Sequence, residues 1–185
     1  MVFSSLVFLS VFLPAVFLLY TVIPSLKVRN ILLILASLAF YAYGEPVYVL
    51  LMLFSSVLNY LCALWVAHNP QKKSRAAVVT AVAVNLGILA VFKYTGMLVD
   101  TVSLLPFLNI PDLQISLPIG ISFYTFQLIS YVVDVYRGEI HAQPVFWKLL
   151  LYSSLFHQCI AGPIVRYQTV NNDLFSGTPR QCQWD

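Results

Sequence analysis

Tyr124, Gln127, Tyr131 and Asp134 stand three and four residues apart in an otherwise apolar run, with Ser130 beside them. That spacing puts all four on one face of a helix. In hydrocarbon a polar side chain is costly unless it has a partner, so such a face marks either function or polar packing. One reading makes it the polar wall of a passage for a substrate. The other makes it a set of interhelical hydrogen bonds that hold membrane helices together, and the sequence favours this second use.

Other polar residues admit the same comparison. Arg166 follows Gly162-Pro163, a helix-ending signal, and its guanidinium could hold a phosphate or carboxylate bidentately or simply anchor a helix end near an interface. His157 lies in an apolar block and invites general-base chemistry, because its ordinary pKa lies near neutrality. No serine or carboxylate partner follows from spacing, so a packing role is favoured, and His68 and His141 sit in expected turns. Asn59 and Asn85 are isolated amides, read as packing. Cys62, Cys159 and Cys182 are odd in number and far apart, which implies neither a disulfide framework nor a metal site, and no cofactor is expected.

The elements that must position these groups are long apolar blocks. With 60% apolar and 9% charged residues, the chain carries too little polar material for a soluble domain, which needs about 25% charged residues. Val2 to Pro24 is longer than a signal-peptide core and lacks its basic start, so a first spanning helix is expected there. Asn30 to Gly44 is short, about 20 Å of helix, and predicts a thin or tilted crossing. Glu45-Pro46 interrupts, and Val47 to Ala67 begins anew. Ala76 to Phe92 is a fourth block, Tyr94 to Ser116 a proline-marked connection, Leu117 to Val135 a fifth block and Val145 to Val165 a sixth. Pro118 and Gly120 either break a helix at membrane depth or start an ordinary one. The expected fold is all-α, a polytopic transmembrane helix bundle of about five to six membrane segments.

The net charge of +3 is too small to imply nucleic acid, and the basic residues sit in short clusters between blocks. Lys27 with Arg29, and Lys72 to Arg75, are the strongest, and the positive-inside rule places both in the cytoplasm. Two crossings between them satisfy this. The N-terminus, Glu45, Asp100 and Asp112 are then expected outside, with the Arg137 to Lys148 stretch inside.

LPIGISFYTFQLISYVVDVYRGEI followed by LFHQCIAGPIVRYQTV resembles the signature region of bacterial membrane-bound O-acyltransferases. MVFSSLVFLSVFLPAVFLLY and RNILLILASLAFYAYGEP look like the same group's N-terminus, and the alginate O-acetyltransferase type is the most similar. The likeness covers residues 1–174 and implies the N-terminal half of that domain, a partial acyltransferase fold. It further implies a bacterial inner-membrane enzyme that passes an acyl group, acetyl by type, from a cytoplasmic-side donor to hydroxyls of an exported polysaccharide, working with partner proteins of the same pathway. Tyr124, Gln127, Tyr131, Asp134 and Arg166 then become candidates for a substrate or donor passage.

The catalytic histidine of such enzymes lies in a later segment, and no position here matches it. The family commonly has proline where His157 stands, so His157 is not promoted to that role. The tail 175–185, FSGTPRQCQWD, departs from the family and implies a frameshift, a premature stop or a fragmentary gene model, with a chain inactive alone. A non-catalytic membrane scaffold of a polysaccharide modification or export complex is the alternative.

Overall fold

A computed structural model describes residues 8–44, 46–69, 71–103, 120–155 and 166–175. Among these the chain is helical with no strand, the all-α membrane bundle expected. A π-helical turn, Phe8–Phe12, runs into α1 (Leu13–Val22); α2 (Leu26–Gly44), α3 (Tyr48–His68) and α4 (Gln71–Ser103) follow. After them come α5 (Ile121–Arg137), α6 (Phe146–Ser154) and α7 (Tyr167–Phe175). Among the described residues three stretches are long and apolar enough to cross a bilayer: Leu26–Gly44, Tyr48–His68 and Ser74–Tyr94.

Several boundaries depart from the expectation by four residues or more, one of them the start of α4, which lies at Gln71 rather than Ala76 and takes Lys72, Lys73 and Arg75 into the helix. The short second block is longer than Asn30 to Gly44, because Lys27 and Arg29 lie inside α2. Its first turn closes with the Arg29 N–H on the Ser25 carbonyl at 3.0 Å. Lysine and arginine are good helix formers whose stems can carry the charge toward the interface, so a basic cluster need not be a turn. The resulting 19 residues give about 28 Å of helix, close to a full crossing.

The fourth block does not break at Tyr94 but continues as α4 to Ser103. Gly96 alone costs about 1 kcal/mol, too little to stop a helix that is already propagating. The sixth block is not one helix to Val165, since α6 ends at Ser154 and Leu155 turns to φ −50°, ψ 112°. Neither glycine nor proline stands there, so packing sets that end; Leu149 to Leu155 are all buried, on every side of the helix.

α3 is the central helix, packed most extensively on α5 and α4 and also on α6. In lipid the hydrophobic effect does not drive helices together, so close van der Waals contact and hydrogen bonds must. The buried face of α3 is accordingly built from small residues, Ser55, Ser56, Asn59, Cys62 and Ala63, and that of α4 from Ser74, Ala77, Ala81 and Asn85. Their three- and four-residue spacing aligns each set along one face.

Where these faces meet, Asn85 donates to Asn59 Oδ1 at 3.0 Å and Asn59 donates to Asn85 Oδ1 at 3.2 Å. Both amides also reach back four residues, to the carbonyls of Ser55 at 2.8 Å and Ala81 at 2.7 Å. The packing role expected of these asparagines is what the geometry shows. A hydroxyl pair, Ser56 and Ser153 at 2.9 Å, joins α3 to α6. Cys62 is a buried free thiol, as expected of a packing residue.

Candidate functional site

α5 carries the candidate residues, and a left-handed glycine stands at each of its ends, Gly120 at φ 78° and Gly138 at φ 75°. At the far end the Gly138 N–H bonds the Val135 carbonyl at 3.1 Å and the Glu139 N–H bonds the Asp134 carbonyl at 3.0 Å. This reciprocal pair is a Schellman motif, which caps the last carbonyls and reverses the chain. A Cβ at Gly138 would meet no atom within 4 Å, so only the backbone conformation restricts the position. Gly138→Ala is expected to lower unfolding stability in detergent by about 1 kcal/mol, and Gly138→Asn by less. Thermal unfolding followed by tryptophan fluorescence checks this, and an alanine variant as stable as the parent would count against it.

The polar face of α5 points into the bundle. Tyr124, Gln127, Tyr131 and Asp134 are all buried, and Thr125, which the spacing did not single out, is buried with them. α5 as a whole packs mainly on α3 and α4. Arg166 does not join that face; its side chain is 63% exposed and its Nη1 donates to Glu139 Oε2 at 3.1 Å. Asp134 lies within electrostatic reach of Arg166, Glu139 and Arg137, so one end of the stripe touches the charged cluster. His157, Gly162 and Pro163, with Cys159, Cys182 and Pro118, lie outside the described residues.

The chain between α5 and α6 is fastened by groups that spacing could not reveal. Gln143 donates its backbone N–H to Tyr131 Oη at 2.9 Å and its side-chain Nε2–H to Tyr167 Oη at 2.7 Å. Its Oε1 accepts from the Val145 N–H at 3.4 Å. Tyr60 Oη donates to the Pro144 carbonyl at 2.7 Å. Three tyrosines from α3, α5 and α7 therefore hold one short segment.

Their rings add edge contacts: Tyr131 meets Tyr167 at 4.9 Å between centroids, and Tyr152 meets Tyr167 at 5.3 Å. Edge-to-face pairs of this kind are favoured by the aromatic quadrupole. Burial raises the Tyr167 hydroxyl above the ordinary tyrosine range, offset in part by the hydrogen bond from Gln143. Tyr167 accordingly stays neutral at physiological pH and keeps its hydrogen to give to Asn171 Oδ1 at 3.5 Å.

Two grooves flank this segment. One, of about 310 Å³, is lined by Glu139, His141, Gln143, Tyr167, Gln168 and Asn171 among others. The other, of about 260 Å³, brings Asn69 and Ser74 at the α3–α4 corner beside Gly138 and His141. The corner after the third block and the Arg137 to Lys148 stretch thus share one end of the bundle. Among the described residues no group of three or more histidine, cysteine or acidic side chains could hold a metal.

Comparison with known proteins gives a consistent set of relatives. The chain is 39% identical over 178 residues to "Probable alginate O-acetylase AlgI" of Pseudomonas aeruginosa, covering 91% of this chain and 33% of that protein. The protein of the same name from Azotobacter vinelandii is 37% identical over 177 residues, 91% of this chain and 35% of its own length. "Peptidoglycan O-acetyltransferase" of Helicobacter pylori is 30% identical over 196 residues, 90% of this chain and 37% of its own. The chain spans about a third of the length of the curated relatives it matches. No family model matches, and no solved structure does. The likeness that the sequence motifs imply holds across 91% of the chain.

Proposed function

For a chain that is related to membrane-bound O-acyltransferases of the alginate O-acetylase type, we propose a part in O-acetyl transfer to hydroxyls of an exported polysaccharide. The observation that carries this is identity of 39% running through 91% of the chain, far more than one shared motif. Alginate is the preferred acceptor, because the relatives named for it reach 39% and 37% whereas the peptidoglycan enzyme stands at 30%. Histidine chemistry is assigned to the remainder of an enzyme of the relatives' length, and this chain supplies helical framework.

The four-residue stripe on α5 then forms structural wall beside the reaction path, with Tyr131 and Asp134 nearest the loop that Gln143 fastens. Proximity and general-base assistance would provide the rate, the first by holding donor and hydroxyl together. The inner membrane is the proposed location, with the N-terminus outside and the basic corners in the cytoplasm. Support comes from the α3–α4 corner and the Arg137 to Lys148 stretch lying together, since positive-inside counting demands one side for both. Partner proteins of the same export pathway belong to this reading.

The test is a chimera in which residues 1–174 replace the matching third of the Pseudomonas aeruginosa alginate O-acetylase, followed by measurement of ester-bound acetate on secreted alginate. Acetylation at roughly a tenth or more of the parental level is expected, a loss of up to about 1.4 kcal/mol in barrier terms. A chimera that inserts and accumulates normally yet leaves alginate without acetate would sink the proposal.

A further inference from the structure

Two guanidinium groups share one carboxylate at the end of α5. Arg166 Nη1 lies 3.1 Å from Glu139 Oε2 and Arg137 Nη1 lies 3.8 Å from Glu139 Oε1, so each arginine takes one oxygen. All three side chains are open to solvent, at 63%, 62% and 40%. Behind them Asp134 is buried and within electrostatic reach of both arginines and of Glu139. The four charges sum to zero, but they are not equivalent: Asp134 is fixed in a helix interior, whereas Glu139 stands on an exposed turn. Both guanidinium groups have their ion pair with Glu139, and none is formed with Asp134 among the described residues.

The adjoining groove is lined by Glu139 as well, together with His141 and the hydrogen-bonding groups of Gln143, Tyr167, Gln168 and Asn171. Its volume of about 310 Å³ accommodates a small polar headgroup. Guanidinium forks match the terminal oxygens of a phosphate, whether monoester or diester, and its tetrahedral array can be shared by two forks. The Glu139 carboxylate gives each arginine a single oxygen.

We propose that Arg137 and Arg166 form a binding site for a phosphate ester, in which the Glu139 carboxylate is the resident substitute that the ligand's phosphate displaces. No covalent step is involved; one anion exchanges for another. The phosphate belongs either to a phospholipid headgroup or to a soluble ester, and the site requires nothing of the acyl-transfer reading.

The experiment uses the full chain in detergent at low ionic strength, where exposed charges are least screened. Inorganic phosphate is titrated by calorimetry in one arm, and in the other retention of added phosphatidylglycerol is compared with diacylglycerol by native mass spectrometry. Glu139→Gln is expected to bind roughly two- to fivefold more tightly than the parent, the range set by an exposed ion pair. The double variant Arg137→Gln/Arg166→Gln is expected to bind at least about tenfold more weakly, since hydrogen bonds to charged groups are worth more than neutral ones. Arg137→Lys/Arg166→Lys should fall between them, which charge without the fork predicts.

Response in the phosphate arm shows that a free phosphate group suffices, as a soluble ester would supply, and response confined to phosphatidylglycerol identifies a lipid headgroup. Glu139→Gln binding no more tightly than the parent overturns the proposal, as does binding indifferent to the arginine pair. Because Glu139 is exposed and its N–H bond to Asp134 is a backbone bond, its substitution leaves the helix cap in place.

Discussion

Tyr131→Ala should lower the unfolding stability of the chain by about 3–5 kcal/mol, the usual cost of removing a large buried ring and leaving its cavity. Tyr131 is completely buried on α5 and its ring stands edge-on to Tyr167. Tyr131→Phe should cost only about 1 kcal/mol, because the ring stays and a single acceptor for the Gln143 N–H is lost. The two variants separate the packing reading of the α5 stripe from the passage reading. Packing predicts a large gap in unfolding temperature between alanine and phenylalanine, with polysaccharide acetylation in the chimera following stability. If phenylalanine removed acetylation while melting close to the parent, the hydroxyl would have to face the reaction path instead.

A second large effect is expected at the α3–α4 seam. Asn59→Leu should destabilise by about 2 kcal/mol, because Asn85 then keeps a buried carboxamide oxygen whose donor has gone. Asn85→Leu should do the same from the other side. The double variant should lose less than the sum, with a coupling of about 1 kcal/mol, in the range measured for hydrogen bonds between membrane helices. Chemical unfolding of the four proteins in mixed micelles completes the cycle, and strictly additive losses would show that the two amides do not hold one another. The local bonds to Ser55 and Ala81 limit the effect, since each amide already has one backbone acceptor.

Much of this bundle is legible in the sequence because its information is local. Tyr124, Gln127, Tyr131 and Asp134 announce a buried face through spacing within one helix, and the structure buries all four. The long apolar run of α3 is equally direct. What the sequence hides is set by contacts between distant segments. Gln143 carries no motif, and its partners Tyr131 and Tyr167 lie 12 and 24 residues away on different helices. Glu139 and Arg166 are 27 residues apart, so nothing in their surroundings marks them as a pair.

Boundaries failed for a related reason. Lys27 and Arg29 read as a turn by charge, yet their backbones are helical, and charge reports the interface rather than the end of a helix. The end of α6 at Ser154 has no local breaker at all, so only its surroundings could have revealed it.

The length of α4 has a consequence for reach. Thirty-three residues make a rod of about 50 Å, while the hydrocarbon slab is about 30 Å thick. Even a tilt of about 40° uses only some 40 Å of it. Roughly 10 Å of continuous helix must therefore stand clear like a mast, and the part beyond Tyr94, where the apolar stretch stops, is where it emerges. A membrane-impermeant reagent or a protease added to the face opposite the α3–α4 corner would find helical backbone there, held at a fixed height above the lipid.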